Sequence, residues 1–177
     1  MKLLVLSDSH RETEHMLLAV RKERPDAVVH LGDHAADADA IAQEFPYLPL
    51  YRVRGNCDYY DDVTPEQALL RLEGVRLLAV HGHRCGVKTG LLRLCYAARE
   101  KDAQVALFGH THRGFCTQTD GLWLLNPQTD LLIRLMPTSF FVSYAAILGG
   151  TWLGALMLMG GAAWYLKRRW KTNEVKT

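Results

Sequence analysis

The 177-residue chain is 49% hydrophobic and 23% charged with a net charge of +2, which excludes a disordered or collagen-like protein and leaves room for one ordinary domain plus an appendage. The charge is unevenly spread: beyond Leu166, five cations (Lys167, Arg168, Arg169, Lys171, Lys176) face Glu174 alone, a local +4 that leaves the first 166 residues at −2. A body that grips nucleic acid through bulk positive charge is thereby disfavoured. Cys57, Cys85, Cys95 and Cys116 show no CxxC spacing, so a zinc knuckle is excluded and a disulfide framework is not expected. The only apolar run before Asp8 is Leu3 to Leu6, too short for a signal peptide, and a cytoplasmic body is the expectation.

In chain order, residues 2–7 form a short Leu/Val run of strand length, and residues 12–24 follow with Met16, Leu17 and Val20 at helical spacing before Pro25. Residues 27–31 predict a second buried strand ended by Gly32, 36–44 a helix, and 48–53 a third strand ended by Gly55. Residues 68–72 and 75–80 flank Glu73-Gly74 as a hairpin. A helix over 91–100, a strand over 105–108 and a Thr119-Asp120-Gly121 turn joining two last strands complete the pattern. Strands alternating with helices predict parallel pairing finished by hairpins, an α/β fold.

The chemistry-bearing residues fall at strand ends. Asp8 and His10 follow the first strand, Asp33 the second, Asn56 the third, His81 the 75–80 strand, and His110 and His112 the 105–108 strand. Carboxyl ends of parallel strands share one edge, where open α/β sheets bind ligands. Seven N- and O-donor side chains delivered there exceed one tetrahedral zinc site and suit two divalent ions with positions open for water.

Asp8-Ser9-His10, Gly32-Asp33, Gly55-Asn56-Cys57-Asp58, His81-Gly82-His83 and Gly109-His110-Thr111-His112 resemble the five blocks of calcineurin-like metallophosphoesterases, and are most similar to those of the small bacterial and archaeal phosphodiesterases. The eukaryotic retromer subunit shares this fold. The resemblance implies a layered sandwich of mixed sheets flanked by helices. It also implies that Asp8, His10 and His112 hold one metal, that Asn56, His81 and His110 hold the other, and that Asp33 bridges them. Two divalent ions are implied, Mn²⁺ favoured over Ni²⁺, Zn²⁺ or Fe²⁺. The implied activity is hydrolysis of a small phosphodiester by a hydroxide between the metals, with Asp33, Asn56 and His83 in catalytic positions. His83 would contact phosphate or donate a proton, or else support His81. The alternatives are a metal-binding interaction scaffold with little turnover, a phosphomonoesterase and a nuclease. Larger family members have His where this chain has Cys57, which removes a strong acid for the leaving group and favours activated diesters. Arg54 could reach an anionic substrate, although a strand residue extending to solvent explains it equally well.

The resemblance runs through residues 1–127. There Asn126-Pro127 continues into Gln128-Thr129-Asp130 instead of the family's Gly-Ser turn, so the domain is expected to lack its usual last strands, with 128–143 as linker. From Leu135 to Leu166 no residue is charged, and residues 144–166 are long enough to span a ~30 Å hydrocarbon core. Aromatic residues at both rims and the basic tail over 167–177 fit an atypical C-terminal apolar, transmembrane helix tethering a cytoplasmic catalytic body. A buried helix or a tail in a shifted reading frame are the other readings of this segment. Gly150 and Gly154 have GxxxG spacing, a weak signal with which a homo-oligomer is compatible.

Overall fold

The computed structural model describes residues 1–127, 130–136 and 139–143. Its strands are β1 (Lys2–Leu6), β2 (Ala27–His30), β3 (Leu50–Arg52), β4 (Gln67–Leu72), β5 (Val75–Val80), β6 (Val105–Leu107), β7 (Phe115–Thr119), β8 (Leu122–Asn126), β9 (Asp130–Met136) and β10 (Ser139–Ser143). The helices are α1 (Thr13–Glu23), α2 (Ala38–Glu44) and α3 (Leu92–Glu100), with short 3₁₀ turns at Ala35–Asp37 and His83–Cys85. Two five-stranded sheets result, ordered β10-β9-β1-β2-β3 and β4-β5-β6-β8-β7. Within the first, β1, β2 and β3 are parallel; within the second, β5, β6 and β8 are parallel.

Alternation along the strands sets the layers. Leu3 and Val5 of β1 pack inward with Val29, Leu77, Ala79, Leu107 and Leu125, while Leu4 and Leu6 face Met16, Ala19, Val20 and Ile41 of the first two helices. On the other side, Leu78, Val80, Ala106 and Phe108 face Leu94, Cys95 and Ala98 of α3. The period-2 side-chain pattern of buried strands thus yields helices on two stacked sheets, with each fully buried leucine worth about 1.5–3 kcal/mol. The β4–β5 and β7–β8 hairpins turn on two residues with left-handed φ: Glu73 and Gly74 at 49° and 77°, Asp120 and Gly121 at 47° and 80°. That is the backbone required by a two-residue turn matched to strand twist.

The carboxyl-terminal end of the domain departs from the sequence expectation. Residues 130–136 and 139–143, which fall within the expected linker, are strands, so the domain does not lack its closing strands. The strands β7 and β8 are likewise not the last. β9 runs antiparallel to β1, pairing Leu3 with Ile133 and Val5 with Leu131, and β10 runs antiparallel to β9. The physical reason is burial: Ile133 and Leu135 enter the inter-sheet core, and Met1 and Leu135 exchange backbone hydrogen bonds. The proposed membrane helix over 144–166 and the basic tail over 167–177 lie outside the described residues. Among the described residues, no helix is long and apolar enough to cross a membrane.

Candidate metal centre

The loops that leave β1, β2, β3, β5 and β6 bring the expected residues together. Two sets of three side chains have donor atoms within 4.8 Å of one another: Asp8, His10 and His112, and Asp33, His81 and His110. Five of these six residues, Asp8, His10, Asp33, His110 and His112, have φ between 46° and 67°. Left-handed backbone at residues other than glycine costs of order 1–3 kcal/mol each and persists only where the surroundings enforce it, typically at functional sites. Two glycines permit the crowding. A Cβ on Gly55 would collide with the Asp33 carboxylate, and one on Gly109 would collide with Ser7 Oγ and lie 2.7 Å from Asp8 Oδ2.

In the inner set His81 is fully enclosed and Asp33 only 2% exposed, while His110 is half-buried. His81 Nδ1 donates to the Leu31 carbonyl at 2.8 Å, which fixes the tautomer and leaves Nε2 facing the site. Around Nε2 gather Asn56 Oδ1 at 3.1 Å, His110 Nδ1 at 3.2 Å and Asp33 Oδ1 at 3.3 Å. Asn56 is therefore a member of this set; its Nδ2 donates to Cys57 Sγ at 3.4 Å, turning the amide oxygen toward His81. Acceptors converging in this way repel unless a proton or a cation lies among them. In the metal-free protein the electrostatics favour the proton: burial opposes the charged form of His81, but the hydrogen bond and charge of Asp33 outweigh it and raise the imidazole pKa. Burial alone would raise the Asp33 pKa, yet His81 and the Cys57 N–H hold it well below the usual carboxylate range.

The outer set is more open. Asp8 Oδ2 accepts from Ser7 Oγ at 2.6 Å and the His110 N–H at 3.1 Å. Its other oxygen, Oδ1, is buried without a hydrogen-bond partner and lies 3.6 Å from His112 Nε2. The exposed His10 and His112 rings stack with centroids 5.3 Å apart and 8° between planes. An orphaned carboxylate oxygen beside two imidazoles fits a cation, as does the crowd of acceptors at His81.

His83 lies beside the inner set, its ring 5.4 Å from His81. Its Nδ1 is buried and unpartnered. Burial, His81 and Arg84 lower its pKa. Burial and the adjacent Asp33 raise that of the Cys57 thiol. Arg54, a candidate for reaching substrate, is instead engaged by Glu66 and the Asp61 carbonyl. His34 stands edge-to-face with His10 at 5.5 Å.

Several supporting residues were not assigned roles from the sequence. His30 is fully buried at the end of β2; its Nδ1 accepts from the Gly32 N–H and its Nε2 meets Ser9 Oγ at 3.1 Å. Ser9 Oγ donates to Asp37 Oδ2 at 2.7 Å, and the same oxygen accepts from the Arg11 N–H. This chain of contacts ties the His10 loop to β2, and a histidine closing the otherwise apolar Ala-Val-Val-His strand was its signal. Asp58 accepts from the Gly55 and Ala35 N–H groups, linking the second and third loops. The buried Asn126 donates to the Gly109 carbonyl and Thr111 Oγ1, bracing the loop that carries His110 and His112.

Residues 1–129 match the calcineurin-like phosphoesterase superfamily domain. With the fold and the clustered Asp, Asn and His residues, this places the chain in that superfamily of metallophosphoesterases, hydrolases whose members bind divalent metals. A probable metallophosphoesterase of Bacillus subtilis, YsnB, is 36% identical over 149 residues, covering 83% of each protein. Among solved structures, a conserved uncharacterized protein of Streptococcus pneumoniae, a predicted phosphoesterase, superposes with a TM-score of 0.75 at 23% identity, over 89% of this chain and 96% of that one. A protein described as a novel archaeal phosphodiesterase superposes with a TM-score of 0.62 at 17% identity, over 80% of this chain and 98% of that one.

Proposed function

We propose that this protein is a dinuclear phosphodiesterase, with Asp8, His10 and His112 holding one divalent metal, Asn56, His81 and His110 the other, and Asp33 shared between them. The observation that carries this reading is the gathering of Asn56 Oδ1, Asp33 Oδ1 and His110 Nδ1 around His81 Nε2, whose opposite nitrogen is committed to Leu31. When bound, paired cations supply Lewis acidity that neutralises phosphoryl oxygens and acidifies water. Mn²⁺ is the favoured occupant, since imidazole, carboxylate and amide oxygen form a mixed, borderline-hard ligand set.

The chain's own residues do the positioning. Leu31 orients His81, Cys57 orients the Asn56 amide, and Ser7 with the His110 N–H fixes one Asp8 oxygen so that the other faces the site. His83 presents its unpartnered Nδ1 to the phosphoryl group. Position 57 offers a thiol where an imidazolium would protonate a poor leaving group, so diesters with acidic leaving alcohols react fastest. Phosphodiesterase activity in a protein of the same fold, the archaeal one, is in keeping with this choice.

The test is hydrolysis of bis(4-nitrophenyl) phosphate by the full chain with added Mn²⁺. Activity is expected to disappear on chelation and in Asp33→Ala. Turnover surviving both overturns the metal mechanism, whereas two metals bound per chain with no ester hydrolysed points to the interaction scaffold.

A further inference from the structure

Next to the candidate metal centre lies a cleft of about 180 Å³ whose lining includes His81, His83, Arg84, Cys85, Glu66 and Gln67. The chain that follows His81 is basic. From His81 through Arg99 the sequence carries Arg84, Lys88, Arg93 and Arg99 and not one acid. Arg99 is spent on Asp120, on the β7–β8 turn. Lys88 and Arg93 are exposed and make no ion pair among the described residues.

Arg84 is held differently. Its Nη2 lies 2.5 Å from Glu66 Oε1, and the same oxygen takes Arg54 Nη2 at 2.9 Å. Arg54 keeps further partners in Asp62 Oδ1 at 3.7 Å and the Asp61 carbonyl, whereas Arg84 has Glu66 as its one anionic partner among the described residues and its side chain is 68% exposed, free to exchange one anion for another.

We propose that this cleft is a second anion subsite, in which Arg84 binds a phosphoryl group carried on the part of the substrate that is not released, while Glu66 holds that place in the free protein. Lys88 and Arg93 raise the potential along the approach. The inference rests on the phosphodiesterase reading and narrows it: the substrate class is a phosphodiester that also bears a terminal phosphate.

The experiment compares two diesters with the same leaving group, 4-nitrophenyl 3-phosphonopropyl phosphate and 4-nitrophenyl methyl phosphate, using the full chain with Mn²⁺. The readout is the ratio of their kcat/KM values. Arg84→Ala and Arg84→Met are expected to lower that ratio about tenfold, the loss of one charge-assisted contact. Glu66→Gln removes the competing anion and is expected to raise it. Arg99→Ala, which deletes a cation remote from the cleft, leaves it unchanged. A ratio insensitive to Arg84, or one that falls equally in Arg99→Ala, overturns the subsite. Calorimetric titration with propane-1,3-bisphosphonate and methylphosphonate reads the same preference without turnover. If neither diester is hydrolysed yet the bisphosphonate preference still depends on Arg84, the phosphodiesterase reading falls and the subsite stands.

Discussion

The inner and outer halves of the site are built from similar residues but held to different standards. His81 is anchored at Nδ1 by a backbone carbonyl, and the Asp33 carboxylate takes the Cys57 N–H at 2.9 Å. In the outer half Asp8 is comparably fixed, yet neither His10 nor His112 has a ring hydrogen bond among the described residues, and the His112 side chain is 53% exposed. A preorganised ligand set binds without an ordering cost, whereas mobile imidazoles must lose rotamer freedom when they coordinate. On the proposed dinuclear reading, the inner half is assembled by the fold and the outer half would be completed by its ion.

The largest expected consequence is catalytic. His81→Ala removes the anchor of the inner half and is expected to lower kcat/KM on bis(4-nitrophenyl) phosphate by roughly 10³-fold, against about 10–100-fold for His10→Ala. Equal losses in steady-state assays would erase the distinction between the halves. Next comes metal affinity. Calorimetric titration with Mn²⁺ is expected to resolve a tight and a weak step, with His112→Ala weakening only the weak one, by about tenfold or more; a single step with two equivalent sites contradicts this.

Backbone space gives a smaller effect that sharpens the comparison. Gly55→Ala drives a Cβ into Asp33, and Gly109→Ala drives one into Ser7 beside Asp8. Each is expected to cost about 1–3 kcal/mol in urea unfolding, with Gly55→Ala impairing the tight metal step and Gly109→Ala the weak one. The smallest effect is the pH response of His30, whose pKa burial lowers from 6.5 to about 4. Because the unfolded chain takes up this proton first, the contribution of His30 to stability is complete above pH 6.5 and lost as pH falls toward 4. Its share of the slope of unfolding free energy approaches about 1.4 kcal/mol per pH unit. An acid limb as steep in His30→Gln as in the unaltered protein would show that other groups carry it.

The clustering of the candidate ligands was legible because they follow short apolar runs closely, as Asp8 follows Leu3–Leu6 after one residue and His81 follows β5 directly. The elements bearing them are recovered within a few residues, the helix expected over 36–44 dividing into a 3₁₀ turn and α2. What the sequence concealed is long-range. Nothing near His30 announces that it meets Ser9, and nothing near Asn126 announces Gly109. The strands β9 and β10 were obscured by uncharged residues continuing past them. Arg134 and Pro137 interrupt that stretch and were the available markers, but the partner that makes β9 a strand is β1, far away in the chain.

That pairing has a consequence for synthesis. β1 lies in the middle of its sheet, and Leu3 meets its β9 partner, Ile133, only after 130 further residues have been added. At ordinary elongation rates of about 5–20 residues per second, the first strand leaves the ribosome roughly 7–26 s before its neighbour exists. During that interval Leu3 and Val5 have β2 on one flank and an open edge on the other, a template for unwanted strand addition. The nascent protein thus passes through a prolonged half-finished state in which β1 keeps one unpaired edge.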